Sequence, residues 1–173
     1  TSYVPQIIEA IKIARNKGLK LPIVYNTNGY EKVETLEMLE GYVDIYLPDF
    51  KYSDNKLAKR LSKVDNYFEI ATRALKEMYR QTGKAVFDDR GIMQKGMIIR
   101  HLVLPNQILN SRRVLKWINE NMHDVYVSVM AQYFPTYKAK DIEDINRKLS
   151  KEEYEQIENY LYMLDLENGY IQE

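Results

Sequence analysis

Four groups of polar residues stand where apolar runs stop, and their types suit a ligand carrying charges of both signs. In "IYLPDFKYSD", residues 45–54, Asp49 and Lys51 sit two positions apart directly after Ile45, Tyr46 and Leu47. Alternation along a strand points these two opposite charges the same way. "LPIVYNTNGY" ends in Asn26, Thr27, Asn28 and Gly29, "MIIRHLVLP" carries Arg100 in its middle, and "VYVSVMAQYFP" holds Gln132 and Tyr133. A carboxylate beside an ammonium is either an ion pair on a loop or part of a site for a zwitterionic or anionic ligand. Arginine is almost never buried alone, so Arg100 calls for a carboxylate, and Asp49 is the expected one. If Ile98, Arg100 and Leu102 face the interior, His101 falls on the opposite face, packed under a helix. The plainer alternative for Arg100 is a buried pair with Asp49 that only fixes strand packing.

Composition narrows the chemistry. Twenty-five basic residues balance twenty-five acidic ones, which gives no electrostatic footprint for nucleic acid or an anionic membrane surface. No apolar run reaches the roughly 18 residues of a membrane span and no leader opens the chain, so a cytoplasmic location is expected. There is no cysteine, which removes disulfides, thiolate zinc sites and iron–sulfur ligation by this chain. His101 and His123 lack a second histidine at metal-ligand spacing, and packed or surface imidazoles are the readier reading. No metal ligands are expected.

The elements that must position these residues alternate in type. "VPQIIEAIKIARNKG" reads as a helix with Ile7, Ile8, Ile11 and Ala14 in one stripe and Gly18 as its stop. "LPIVY" is a strand, "KVETLEMLEGY" a short helix and "VDIYLPDFK" a second strand. A helical stretch runs from about Asn55 to Gly83. "KAVFDDRGIMQKG" reads as a hairpin around Asp-Asp-Arg-Gly and leads into the strand "MIIRHLVLP". "SRRVLKWINENM" is a helix with a serine N-cap, and "VYVSVMAQYFP" is the fourth long strand. A closing helix opens on a capping box, Ser150 with Glu153, and takes Gly169 as its stop. Strands alternating with helices imply one α/β domain, residues 1–173, with a parallel sheet and right-handed crossovers. A closed eight-stranded barrel needs roughly 250 residues, so four long strands that begin on a helix read as a piece of something larger. Ligands in such folds bind at the carboxyl ends of strands, where three of the polar groups lie, with Arg100 inside its strand.

"VYNTNGY", "VDIYLPDFKYSD", "IIRHLVLP" and "VMAQYFPTYKA", in that order, resemble the later part of a radical S-adenosylmethionine (SAM) protein, closest to pyruvate formate-lyase activating enzymes. The resemblance covers about Val4 to Tyr154. It implies a partial (β/α) barrel of the radical SAM type, with about four parallel strands and a small hairpin retained. Relatives hold a [4Fe-4S] cluster on a CxxxCxxC loop and the methionine amino group on a GG(E/D)P stretch. Neither motif is present here. Position by position, the resemblance places Asn26, Thr27 and Asn28 near the SAM ribose and carboxylate, although many relatives carry aspartate where Asn26 stands. It places Asp49 and Lys51 beside the methionine carboxylate and substrate, matches Arg100 to a fifth-strand arginine, and puts Gln132 or Tyr133 where relatives have a histidine. The implied partners are a glycyl radical enzyme as protein substrate and flavodoxin or ferredoxin as electron donor, both for an intact protein. This chain alone is expected to hold no cluster and to be inactive.

Two other readings stay open. Lys51 could form a Schiff base in an aldolase-like barrel, although the neighbouring Asp49 favours the ammonium over the attacking amine. Alternatively the chain is a cysteine-free α/β module that binds a small ligand or a peptide. If strands are missing, Leu21 to Tyr25 becomes an open edge without charge to protect it, and either self-association through that edge or a terminal segment folded over it is expected.

Overall fold

The computed structural model describes residues 3–166 and 168–172. Its elements run α1 (Val4–Asn16), β1 (Val24–Thr27), α2 (Val33–Glu37), β2 (Ile45–Pro48), α3 (Asn55–Ser62), α4 (Tyr67–Thr82) and β3 (Val86–Phe87). Then follow β4 (Met93–Leu102), α5 (Ile108–Asn121), β5 (Tyr126–Met130), two short 3-10 turns, α6 (Lys151–Met163) and β6 (Gly169–Gln172). The chain separates into two compact units: Thr1–Pro48 with Glu69–Ile98, and Asp49–Phe68 with Ile99–Glu173. Both α4 and β4 have residues in each.

In the first unit the strand order is β1-β2-β4, all parallel, and β3 pairs antiparallel with β4 as the arm of the expected hairpin. Val4, Ile8 and Ile11 form the buried stripe of α1. Asp44 sets where the sheet begins. Its carboxylate accepts from the Ile23 amide at 2.7 Å and is held by Arg15, whose guanidinium also donates to the carbonyls of Gly41 and Tyr42. Regular pairing of β1 therefore starts at Val24 rather than at Leu21, and Leu21 and Val24 are exposed.

In the second unit, Asp49 bridges Arg100 in parallel, the Val103 amide donates to the Met130 carbonyl, and β5 pairs parallel with β6. The capping box of α6 is present as expected, with Ser150 and Glu153 each accepting from the other's backbone amide.

Four expectations are corrected. The helical stretch from Asn55 to Gly83 is two helices, because Lys63 and Asn66 take left-handed backbone conformations between them. Ser111 is not an N-cap: α5 begins at Ile108, and the Ser111 side chain is buried in the helix interior. The fourth long strand stops at Met130, and the segment beyond it turns away. Gly169 does not end α6 but starts β6, a fifth parallel strand. A β-carbon there would meet Leu161 Cδ2 of α6 at 2.7 Å, so a larger residue would make that leucine side chain shift. The architecture is the expected one, a mostly parallel sheet flanked by helices, with one strand more. No helix among the described residues is long and apolar enough to cross a membrane.

Candidate functional site

Asp49, Lys51, Arg100, Gln132 and Tyr133 all line one cavity of about 560 Å³ in the second unit. Its centre is a shared carboxylate. Arg100 donates from Nε to Asp49 Oδ1 at 2.9 Å and approaches the same oxygen with its terminal nitrogen at 2.7 Å. Lys51 Nζ stands 3.5 Å from the other oxygen, Oδ2. Side-chain exposure rises from 18% at Asp49 through 28% at Arg100 to 42% at Lys51, so the ammonium is the charge an incoming ligand meets first. Two cations against one carboxylate leave a surplus of one positive charge. Leu102, Leu104, Met130 and Ile145 supply apolar wall, which weakens competition from water for these charges.

Local structure explains why the charges hold their places. Strand alternation sends Asp49 and Lys51 to the cavity and Phe50 to the opposite side, where it is fully buried against Phe68 and Trp117. The Phe50 amide donates to the Arg100 carbonyl at 2.9 Å, extending the parallel pairing by one residue. Lys51 is then fixed by its backbone rather than by its side chain. Its N–H donates to the Tyr67 hydroxyl at 2.8 Å, and its carbonyl accepts from Asn110 Nδ2 at 2.9 Å. The same Asn110 accepts the Ser53 amide through Oδ1 at 2.7 Å. Burial raises the Tyr67 pKa, which keeps it a neutral phenol.

His101 lies on the other face of β4 from Arg100. It is fully buried, with Nδ1 2.7 Å from the Phe50 carbonyl and Nε2 2.8 Å from Ser111 Oγ. A carbonyl can only accept, so Nδ1 carries the proton and Nε2 accepts from the serine hydroxyl. Burial lowers its pKa to about 4, against a weaker opposing pull from the Phe50 carbonyl and the Asp49 charge. His101 is thus a neutral strut behind the site.

At the end of β5, Tyr133 donates its hydroxyl to the Ile145 carbonyl at 2.8 Å, and burial raises its pKa. Gln132 is exposed, and its Nε2 donates to Met130 Sδ at 3.7 Å. Tyr52, also lining the cavity, shares a 2.6 Å hydrogen bond with Ser62 of α3. Asn26, Thr27 and Asn28 belong to the first unit and are not among the lining residues. Thr27 is buried and donates to Glu31 Oε1 at 2.7 Å, while Asn28 Oδ1 accepts the Tyr30 amide at 3.0 Å. Both shape the turn after β1, where Gly29 adopts a φ of 76°. The positioning roles of Tyr67, Asn110 and Ser111 carry no signal in the sequence: each is an isolated polar residue on a helix, and only the fold gives it a partner.

No cysteine is available for iron, and no group of three or more histidine, aspartate and glutamate residues among those described could hold a metal ion. The residues present therefore do not fit a cluster.

No protein-family model matches the chain. An uncharacterized protein of Methanocaldococcus jannaschii is 38% identical over 168 residues, covering 94% of this chain and 45% of that protein. The chain thus spans less than half the length of the curated relative it matches. Among solved structures, a domain of pyruvate-formate lyase-activating enzyme from Bacteroides vulgatus matches with a TM-score of 0.68. The match covers 99% of this chain and 92% of that one at 13% sequence identity. At that identity the likeness is one of fold, and it joins the mostly parallel, helix-flanked sheet described above. The chain thus shares the fold of that pyruvate-formate lyase-activating enzyme domain, and it contains no cysteine.

Proposed function

We propose that the cavity of the second unit binds the amino-acid end of S-adenosylmethionine, and that the chain positions this cofactor and a substrate within a larger radical SAM protein. One observation carries the reading: Asp49 is gripped at one oxygen by Arg100 and at the other by Lys51, on the wall of a cavity with surplus positive charge. A ligand carboxylate pairs with Lys51, and a ligand ammonium pairs with Asp49, so both ends of an amino-acid zwitterion find a partner. The apolar wall accepts the remainder of the molecule. In proteins of this type the bound cofactor supplies a deoxyadenosyl group for hydrogen abstraction. These residues contribute binding and orientation, and the thiolates have to come from elsewhere. A glycyl radical enzyme as substrate, with flavodoxin or ferredoxin as donor, remains the proposal for partners.

Calorimetric titration tests this with S-adenosylmethionine, S-adenosylhomocysteine and succinate. Both adenosyl ligands are expected to bind with a Kd of about 1 mM or below, and Lys51→Met to weaken them about tenfold, the value of one charge-assisted hydrogen bond. Equal affinity for Lys51→Met would sink the proposal. Succinate binding as tightly as either adenosyl ligand would favour the small-ligand module instead. Borohydride trapping of a carbonyl compound on Lys51 would favour the aldolase-like reading.

A further inference from the structure

A second cavity of the same unit, about 680 Å³, shares no lining residue with the first. It opens where α3 and α5 begin, and it is lined by Lys56, Arg60 and Arg113 with Ser53, Asn110 and Leu109 among its other walls. We propose that it binds the phosphate group of a small ligand, such as a nucleotide or a sugar phosphate.

Charge is the first argument. Lys56 and Arg113 are exposed, and neither has a hydrogen-bond or ion-pair partner among the described residues. Arg60 pairs with Asp144 at 2.7 Å. The lining holds one acid, Asp54, which caps α3 by accepting the Leu57 amide at 2.9 Å and keeps its negative charge. With Arg60 paired to Asp144, Lys56 and Arg113 outweigh Asp54 and leave a surplus of one positive charge.

The helix termini are the second argument. A helix N-terminus carries partial positive charge and favours an acid beside it; α3 has Asp54 as its N-cap, whereas α5 has no acid in its first turn. Lys56 stands at the second helical position of α3, against that field. The start of α5 has no side-chain cap, and Gln107, Leu109 and Asn110 at that start line the cavity. An anion lodged between Lys56, Arg113 and the start of α5 answers these groups, because amides and cations together form a phosphate site.

An orphan group is the third. Ser53 Oγ is buried and without a hydrogen-bond partner, the one such side-chain atom found among the described residues. Its backbone amide is fixed on Asn110, so the residue is held in the cavity wall with its hydroxyl unpaired. Polar burial of this kind is unfavourable unless a partner arrives.

Amide NMR on the full chain, titrated with inorganic pyrophosphate and with AMP, provides the test. Shifts are expected in Ser53–Leu57 and Ile108–Ser111, with both ligands competing for one site. The double variant Lys56→Ala, Arg113→Ala is expected to weaken binding at least tenfold. Lys116→Ala, which removes an equal charge per residue from α5 outside the cavity, is expected to change it less than twofold. AMP binding tighter than pyrophosphate identifies a nucleotide source, and the reverse a simple phosphate group. The proposal is overturned if shifts spread evenly over surface lysines, if the double variant matches Lys116→Ala, or if a short glutamate-rich peptide outcompetes both ligands. Lys51→Met, which disables the first cavity, is expected to leave phosphate binding unchanged, so the two sites fail or succeed separately.

Discussion

Phe50→Ala is expected to destabilise the protein by about 3–5 kcal/mol, the usual cost of deleting a fully buried aromatic ring. The ring is wholly inaccessible and meets Trp117 edge-on, with centroids 5.3 Å apart and planes at 74°. Such geometry adds to the area term, since the edge of one ring faces the electron-rich face of the other. For a domain of this size the loss corresponds to a fall in Tm of roughly 10 °C. Urea denaturation reads it as a lower midpoint at unchanged slope. Phe50→Leu, which keeps most of the volume, is expected to lose under about 2 kcal/mol. Because Phe50 lies between Asp49 and Lys51, the alanine variant should also weaken whatever the first cavity binds. A loss below 1 kcal/mol would mean that the two charges are not held by the packing behind them.

The second large effect is a pH dependence centred on His101. Its pKa is lowered from 6.5 to about 4 in the folded state, chiefly by burial. The unfolded chain therefore takes up a proton below pH 6.5 that the native state refuses until about pH 4. Stability contributed by this difference is fully present above pH 6.5 and declines as pH falls, flattening below about 4. The change over that window is about 3 kcal/mol. His101→Leu is expected to remove this slope and to cost about 3 kcal/mol at pH 7, because the Phe50 carbonyl and the Ser111 hydroxyl both lose their partner. Stability curves from pH 4 to 8 for the two proteins decide it. An unchanged slope in the variant would show that other groups, not His101, govern acid sensitivity.

Much of the site was legible because strands enforce a period of two. Asp49 and Lys51 on one side, Phe50 on the other, and Arg100 set against His101 all follow from that alternation. Capping at Ser150 was equally readable, since its chemistry is local. What escaped depended on partners distant in sequence. The tetrapeptide Gly169–Gln172 becomes a strand only because β5 offers it an edge, and its glycine mimics a helix stop until Leu161 is seen to lie against it. Ser111 has the type and position of an N-cap, yet His101 holds its hydroxyl and α5 starts one turn earlier. Lys63 and Asn66 break a helical stretch that composition alone joins together. The second cavity was invisible for the same reason: Ser53, Lys56 and Arg113 are unremarkable until two helix starts are placed side by side.

Parallel pairing also sets a tempo. Asp49 and Arg100 meet across 51 residues, and the contact that brings Asn168 to Asp124 beside β5 and β6 spans 44. No hairpin can deliver such pairs; each requires the intervening segment to collapse first, against the entropy of closing a long loop. Refolding is thus expected on the millisecond-to-second scale rather than in microseconds. Throughout that delay the apolar strands lie unpaired, which makes dilution and low temperature the conditions under which this chain regains its native state with least aggregation.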